Sequence, residues 1–344
     1  MKEEHNYSGK PLAYLDQNIL DGFIDCQTND FDFFNGFKDR VQVVYSDSTF
    51  QEIYRSGLTD KRYSDNFLKL LEDFKAFYLK PVLDENFKLT GEMRVYSGSI
   101  FNYYNEYISE SMKYDYILNP LQRNIFALYG GVQDYDAMVN EQIGAQYKIL
   151  EFLDEQIRIL KKEQINHPIL ELFISQKEKE LYTMKAQMPD FEATVRKNIE
   201  NLRQANSETD AHLAYRSSLK INVDQINKVE YPNVLIKIWN MLKTDNTFLQ
   251  KIELDDFLQI KNCNFNFEKI HAIYTILNLC GFRPEKKVKN VKKFVSAQSD
   301  ISHVAFASYC DFFITNDERL FDKSRVIYEH LKINTEVLNI PGFK

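Results

Sequence analysis

The chain has 344 residues, a formal net charge of −7, 27% charged and 44% hydrophobic residues, and only 11 Gly and 8 Pro. With 26 Phe and 21 Tyr there is ample apolar surface to offset ordering entropy, which excludes a disordered or collagen-like chain. So few turn formers also argue against an all-β fold, which needs a turn about every 8–12 residues.

The first ten residues are polar and lack the apolar core of a signal peptide. No apolar stretch approaches the ~18 residues of a membrane span. Cys26, Cys263, Cys280 and Cys310 are scattered, with no CxxC pair and no His at zinc spacing. The expectation is a cytoplasmic protein without disulfides, structural zinc or a membrane partner. No GxxxxGK[ST], GxGxxG or HExxH occurs, so the common nucleotide-binding and zinc-hydrolase signatures are absent.

In chain order, the run Leu12-Ala13-Tyr14-Leu15 predicts a short strand, followed by Asp16 and a helix. Residues 41–45, Val-Gln-Val-Val-Tyr, predict a second strand, and Ser46-Asp47-Ser48-Thr49 reads as a cap before a helix through Ile53. From Thr59 to Gly281 the pattern is helical throughout, and no glycine lies between Gly144 and Gly281. Ile143, Tyr147, Leu150, Leu153, Ile157 and Leu160 recur every three or four residues, one apolar stripe on a helix of about seven turns. Asn166-His167-Pro168 predicts its end, and a second helix follows from Ile169 to near Gln204, broken around Pro189. Further helices are expected at 233–242 and 267–280. Ser299 then precedes a helix opened by Asp300, followed by a strand at 312–315, a helix near 323–331 and a last strand at 335–340.

Strands alternating with helices at both ends imply a parallel sheet. The expected fold is therefore α/β, a parallel sheet with flanking helices assembled from residues 10–57 and 285–344. A large all-α insertion, 58–284, would carry a long helical hairpin.

In an open parallel sheet, ligands sit outside the carboxyl ends of the strands. Asp16 follows the first strand, Glu52 lies on the helix after the second, Asp300 opens the helix before the third and Asp317 follows it. Four carboxylates converging on one edge repel unless neutralised, and Mg²⁺ or Mn²⁺ is the natural counter-charge because both prefer oxygen ligands. Such a site fits phosphodiester hydrolysis by a metal-activated water. Each residue also has a local reading. Asp16 and Asp317 suit helix caps or turns, Glu52 suits a capping box closed on Thr49, and Asp300 suits the helix dipole.

The segments Leu15-Asp16-Gln17-Asn18-Ile19-Leu20, Phe50-Gln51-Glu52-Ile53, Asp300-Ile301-Ser302-His303-Val304-Ala305 and Phe313-Ile314-Thr315-Asn316-Asp317 resemble PIN-domain nucleases. The resemblance covers 10–57 and roughly 285–344, with Thr315-Asn316-Asp317 the sharpest match, and the helical block departs from a compact PIN domain in size. It implies a PIN-like endoribonuclease in which Asp16, Glu52, Asp300 and Asp317 form the metal site. RNA is then expected before DNA, with a 3′-hydroxyl and a 5′-phosphate as products. The insertion would select substrate, bind a protein regulator or self-associate, as suits a toxin or phage-defence effector. The alternative is a catalytically inactive PIN-like binding or scaffold protein acting through its helical arm.

Around these acids, Asn18 and Thr315 are placed to hydrogen-bond the ligating carboxylates, and His303 lies one helical turn after Asp300. Lys286, Lys287, Lys289, Lys292 and Lys293 put five lysines in eight residues, a candidate nucleic-acid track or a solvated junction. Lys323 and Arg325 are further candidates for phosphate contacts. Arg325 and His330 also have the R-x4-H spacing of the metal-independent HEPN ribonucleases, but Val326 is apolar and their helix lies between two strands. The aromatic run 96–107 suits base stacking or helix packing.

Overall fold

Short runs rich in Val, Phe and Tyr become strands only where both faces find cover, and the computed structural model shows how this chain supplies it. It describes residues 2–3, 7, 9–29, 31–85, 88–132, 134–162, 168–244, 249–284, 291–341 and 343. The chain divides into two compact units, one from residues 1–109, 216–287 and 292–344, the other from 110–215 and 288–291.

The first unit holds one sheet. Its strands are β1 (Lys2–Glu3), β2 (Leu12–Leu15), β3 (Gln42–Tyr45), β4 (Phe77–Leu83), β5 (Leu89–Ser97), β6 (Phe312–Thr315) and β7 (Glu336–Asn339). Their order across the sheet is β1-β5-β4-β3-β2-β6-β7. Strands β4, β3, β2, β6 and β7 pair in parallel, while β5 and β1 add an antiparallel edge. The chain moves outward from β2 through β3 to β4, then returns to the other side of β2 with β6 and β7. The crevice between the carboxyl ends of β2 and β6 is thus the point where strand order reverses, which is where open α/β sheets bind ligands.

Alternation along the strands divides the core. Tyr14, Val44 and Phe313 enter one layer, with helices Val234–Thr244, Asn266–Cys280, Val291–Ala307 and Glu318–Leu331. Ala13, Leu15, Val43, Tyr45 and Ile314 enter the other, with helices Gln17–Asn29, Asp47–Thr59 and Lys61–Phe74. Both faces are covered, so the strands read as continuous apolar runs without an exposed polar side.

Three expectations are corrected here. The block 58–284 is not all-α: β4 and β5 form a hairpin within it. Nor is it one insertion, since residues 216–284 pack into the same core as the sheet and only 110–215, with 288–291, forms the second unit. The hairpin escapes a periodicity reading because Pro81 sits at a register shift in β4 and Gly91 interrupts β5. Lastly, Asp300 does not open a helix. With no Pro or Gly from 291 to 307, the helix Val291–Ala307 begins nine residues earlier and Asp300 lies within it.

The second unit is helical and contains the expected hairpin. Helix Tyr135–Lys162 buries Ile143, Leu150 and Ile157, and helices Pro168–Ala186 and Met188–Glu208 follow on either side of the expected break near Pro189. Leu150, Ile157, Leu181 and Met188 share a small core. Tyr147, assigned to the apolar stripe, instead stands 46% exposed with its hydroxyl donating to Glu192 at 2.8 Å. No helix among the described residues is long and apolar enough to cross a membrane.

Candidate functional site

At the carboxyl end of β2 the backbone turns directly into a helix. The Asp16 amide donates to the Ile314 carbonyl in β6, and the Asp16 carbonyl accepts from Ile19 and Leu20 to start helix Gln17–Asn29. This buries the Asp16 side chain to 4% exposure, with Oδ2 accepting from Thr315 Oγ1 at 2.9 Å and from Asn18 Nδ2 at 3.2 Å. Asn18 and Thr315 therefore fix the rotamer of Asp16. Burial, with the charge of Glu52 adding to it, holds the Asp16 carboxyl above its ordinary range despite His303, Thr315 and Asn18.

Glu52 does not close a capping box on Thr49. Ser46 is the N-cap of helix Asp47–Thr59, and its own amide donates to Thr49 Oγ1. Glu52 instead turns inward at 6% exposure, its Oε1 accepting from Ser299 Oγ at 2.8 Å and from Arg55 Nη2 at 3.3 Å. Its Oε2 lies 3.0 Å from His303 Nε2. His303 is 1% exposed, and its Nδ1 is 2.8 Å from the Tyr14 hydroxyl. Burial opposes charge on both partners. Their mutual attraction prevails, holding the Glu52 carboxyl below and the His303 imidazole above the ordinary range, with Arg55 and Ser299 assisting on Glu52 and Asp16 on His303.

Asp317 caps helix Glu318–Leu331, its Oδ1 accepting from the amides of Arg319 at 2.8 Å and Leu320 at 3.2 Å. The Arg319 guanidinium adds a 3.0 Å contact to Oδ2. Burial works against its charge, but these donors outweigh it and the carboxyl lies below its ordinary range. The cap separates two substitutions. Asp317→Asn keeps an acceptor oxygen for the amides but gives up the charge that Arg319 and the amides favour, and costs less than removing the cap altogether. Asp317→Ala loses about 1 kcal/mol, which calorimetry reads as a shift of about 2–4 °C.

Asp16, Glu52, Asp300 and Asp317 all line one cleft of about 1080 Å³, together with Asn18, Asp224, Glu318, Asp322, Arg283 and Arg319. Within it Arg283 Nε pairs with Asp322 at 2.5 Å. The donor chemistry is that of a hard divalent cation, all carboxylate oxygen around a charge that burial disfavours. The grouping is looser than a closed cage, since among the described residues no three His, Cys, Asp or Glu side chains stand together as a ready metal site. The carboxylates fit such an ion in kind.

Other candidates lie elsewhere. Lys323 falls on the inward stripe of its helix with Leu320, Ser324 and Ile327, so it is fully buried. Its Nζ donates to Asn278 Oδ1 at 2.8 Å and lies 4.8 Å from the Tyr274 ring centroid, which removes it as a phosphate contact. Arg325 lies over the Tyr231 and Phe321 rings, outside the cleft. His330 meets Asp255 at 3.2 Å, so the R-x4-H pair is not brought together on common partners. Lys286, Lys287 and Lys289 lie outside the described residues, as do the side chains of Lys292 and Lys293. In the aromatic run, Tyr103 is buried with its hydroxyl on the Ser97 carbonyl, while Tyr104 and Tyr107 pack on Phe50.

Sequence reasoning missed Tyr14, Arg55, Ser299, Arg283 and Arg319. Arg55 carried a signal, standing three residues after Glu52 on one helix face. Tyr14 and Ser299 carried none, since a strand tyrosine and a helix serine are ordinary in those positions.

No family model matches the chain, and no curated protein or solved structure matches it. Fold and cleft define an α/β protein with a mostly parallel sheet and an acidic cleft at its strand-order reversal.

Proposed function

We propose that the chain is a Mg²⁺- or Mn²⁺-dependent phosphodiester hydrolase, a PIN-like endoribonuclease acting on RNA in preference to DNA. One observation carries the reading: four carboxylates picked from both ends of the chain by strand-end logic line a single cleft at the reversal point. Asp16, Asp300 and Asp317 would hold the ion, and Thr315 and Asn18 hold Asp16 for it. The bound ion would lower the pKa of a water and offset charge on the phosphate. Arg283 and Arg319 stand in the same cleft, and their planar forks suit phosphate oxygens. A toxin or defence role follows from the class alone, and a regulator or self-association through the helical unit belongs to the same proposal.

The second reading, a non-catalytic binding protein, is favoured by the engagement of Asp317 as a cap and of Glu52 by His303. Incubation of the purified protein with labelled RNA and DNA, with Mn²⁺ or EDTA, separates the two. The nuclease reading expects RNA cleavage in Mn²⁺ that EDTA stops and Asp16→Asn abolishes. No cleavage of either nucleic acid, or cleavage that survives Asp16→Asn, removes it.

A further inference from the structure

Resting on the metal reading above, we propose that Glu52 is not a metal ligand: Ser299, Arg55 and His303 hold its carboxylate in the interior, and the cleft takes a single divalent cation on Asp16, Asp300 and Asp317. A carboxylate offers about four lone-pair directions. Two on Glu52 Oε1 are taken by Ser299 Oγ and the Arg55 guanidinium. Oε2 is closed to solvent, with no hydrogen-bond partner among the described residues beyond its 3.0 Å contact with His303 Nε2. Although Glu52 lines the cleft, an ion there would have to displace Ser299, Arg55 or His303 to reach its carboxylate oxygens.

The imidazole is itself locked. His303 Nδ1 is 2.8 Å from the Tyr14 hydroxyl, which is held by Ser46 Oγ at 2.7 Å and Thr49 Oγ1 at 3.3 Å. Tyr14 and Ser46 have no exposed surface, and Thr49 and Ser299 are nearly as buried. These groups come from β2, helix Asp47–Thr59 and helix Val291–Ala307, so releasing Glu52 means parting three packed elements. His303 thus stands between Glu52, at 3.0 Å from its Nε2, and Tyr14, at 2.8 Å from its Nδ1, and keeps the Glu52 carboxylate turned toward the interior.

Native mass spectrometry and calorimetric Mn²⁺ titration of the full chain test this. Wild type is expected to bind one Mn²⁺. Glu52→Gln, which keeps the shape and an acceptor oxygen, is expected to bind one Mn²⁺ with Kd changed less than about threefold, while Asp16→Asn weakens binding at least about tenfold. Should Glu52→Gln not fold, Ser299→Ala removes one donor to Glu52 without burying a charge and is expected to leave stoichiometry and Kd unchanged. Two ions on wild type, or Glu52→Gln losing Mn²⁺ as Asp16→Asn does, overturns the inference while leaving the metal reading intact. No Mn²⁺ on wild type overturns both.

Discussion

On the proposed nuclease reading, Asp16→Asn is expected to abolish Mn²⁺-dependent cleavage, by at least about 10³-fold, and at the same time to raise the melting temperature of the metal-free protein. The rate loss corresponds to about 4 kcal/mol, the scale of a lost metal. The stabilisation has a separate cause. Asp16 is 4% exposed at a strand end, and its carboxyl lies above the ordinary range because burial penalises its charge and Glu52 adds repulsion. A raised carboxyl pKa means that the native state binds this proton more tightly than the unfolded chain. The charge therefore costs stability once pH exceeds the unfolded value of about 3.9, increasingly until pH passes the folded value. Asparagine removes the charge and keeps an oxygen for Thr315 to donate to. Differential scanning calorimetry from pH 4 to 8 is expected to show the variant gaining on wild type as pH rises, by about 2–4 °C for each kcal/mol. A variant less stable than wild type at pH 7 would mean that Asp16 is a structural carboxylate satisfied by Thr315 and Asn18. A functional site that burdens its own fold shows the opposite sign.

His303→Leu has the second large effect, a loss of about 3–5 kcal/mol, because it leaves the buried Glu52 carboxylate with only the partly exposed Arg55 as counter-charge. In a unit of this size that is a fall of roughly 6–20 °C. The double variant His303→Leu/Glu52→Leu is expected to lose much less than the sum of the single losses, since it removes both charges together. The pH course follows from both directions. His303 is raised above 6.5, so its contribution is full below that pH and is lost as pH rises through the folded value. Glu52 is lowered below 4.5, so its contribution is present above that pH and is lost as pH falls through the folded value. The destabilisation by His303→Leu is therefore greatest between about pH 4.5 and 6.5 and shrinks on the alkaline side. Additive losses in the double variant would show that Glu52 and His303 act independently despite their 3.0 Å contact.

Much of the central sheet was legible because it obeys local rules. Strand β6 occupies residues 312–315, as its apolar run predicts, and β2 and β3 lie within a residue of expectation. Both are bounded by polar turn chemistry, so Asp16 and Asp317 could be placed at strand ends without coordinates. The edge hairpin was not legible. Its strands are only partly buried, one carries a proline at a bulge and the other a glycine, and tertiary pairing overrides those local signals. Lys323 shows the limit of reading charge alone, because its inward position follows from Leu320, Ser324 and Ile327 around it. The support of Glu52 lay beyond any local pattern: Ser299 is 247 residues from Glu52, and His303 is 289 from Tyr14. Only the folded sheet brings them together, and a capping box was the nearest local explanation of Glu52.

The most direct measurement is anomalous diffraction from crystals grown in Mn²⁺. A manganese peak in the cleft, with carboxylate oxygens of Asp16, Asp300 and Asp317 about 2.0–2.6 Å away and Glu52 still on His303, is the predicted result. A cleft without manganese at saturating concentration, or manganese bound elsewhere on the chain, would contradict it.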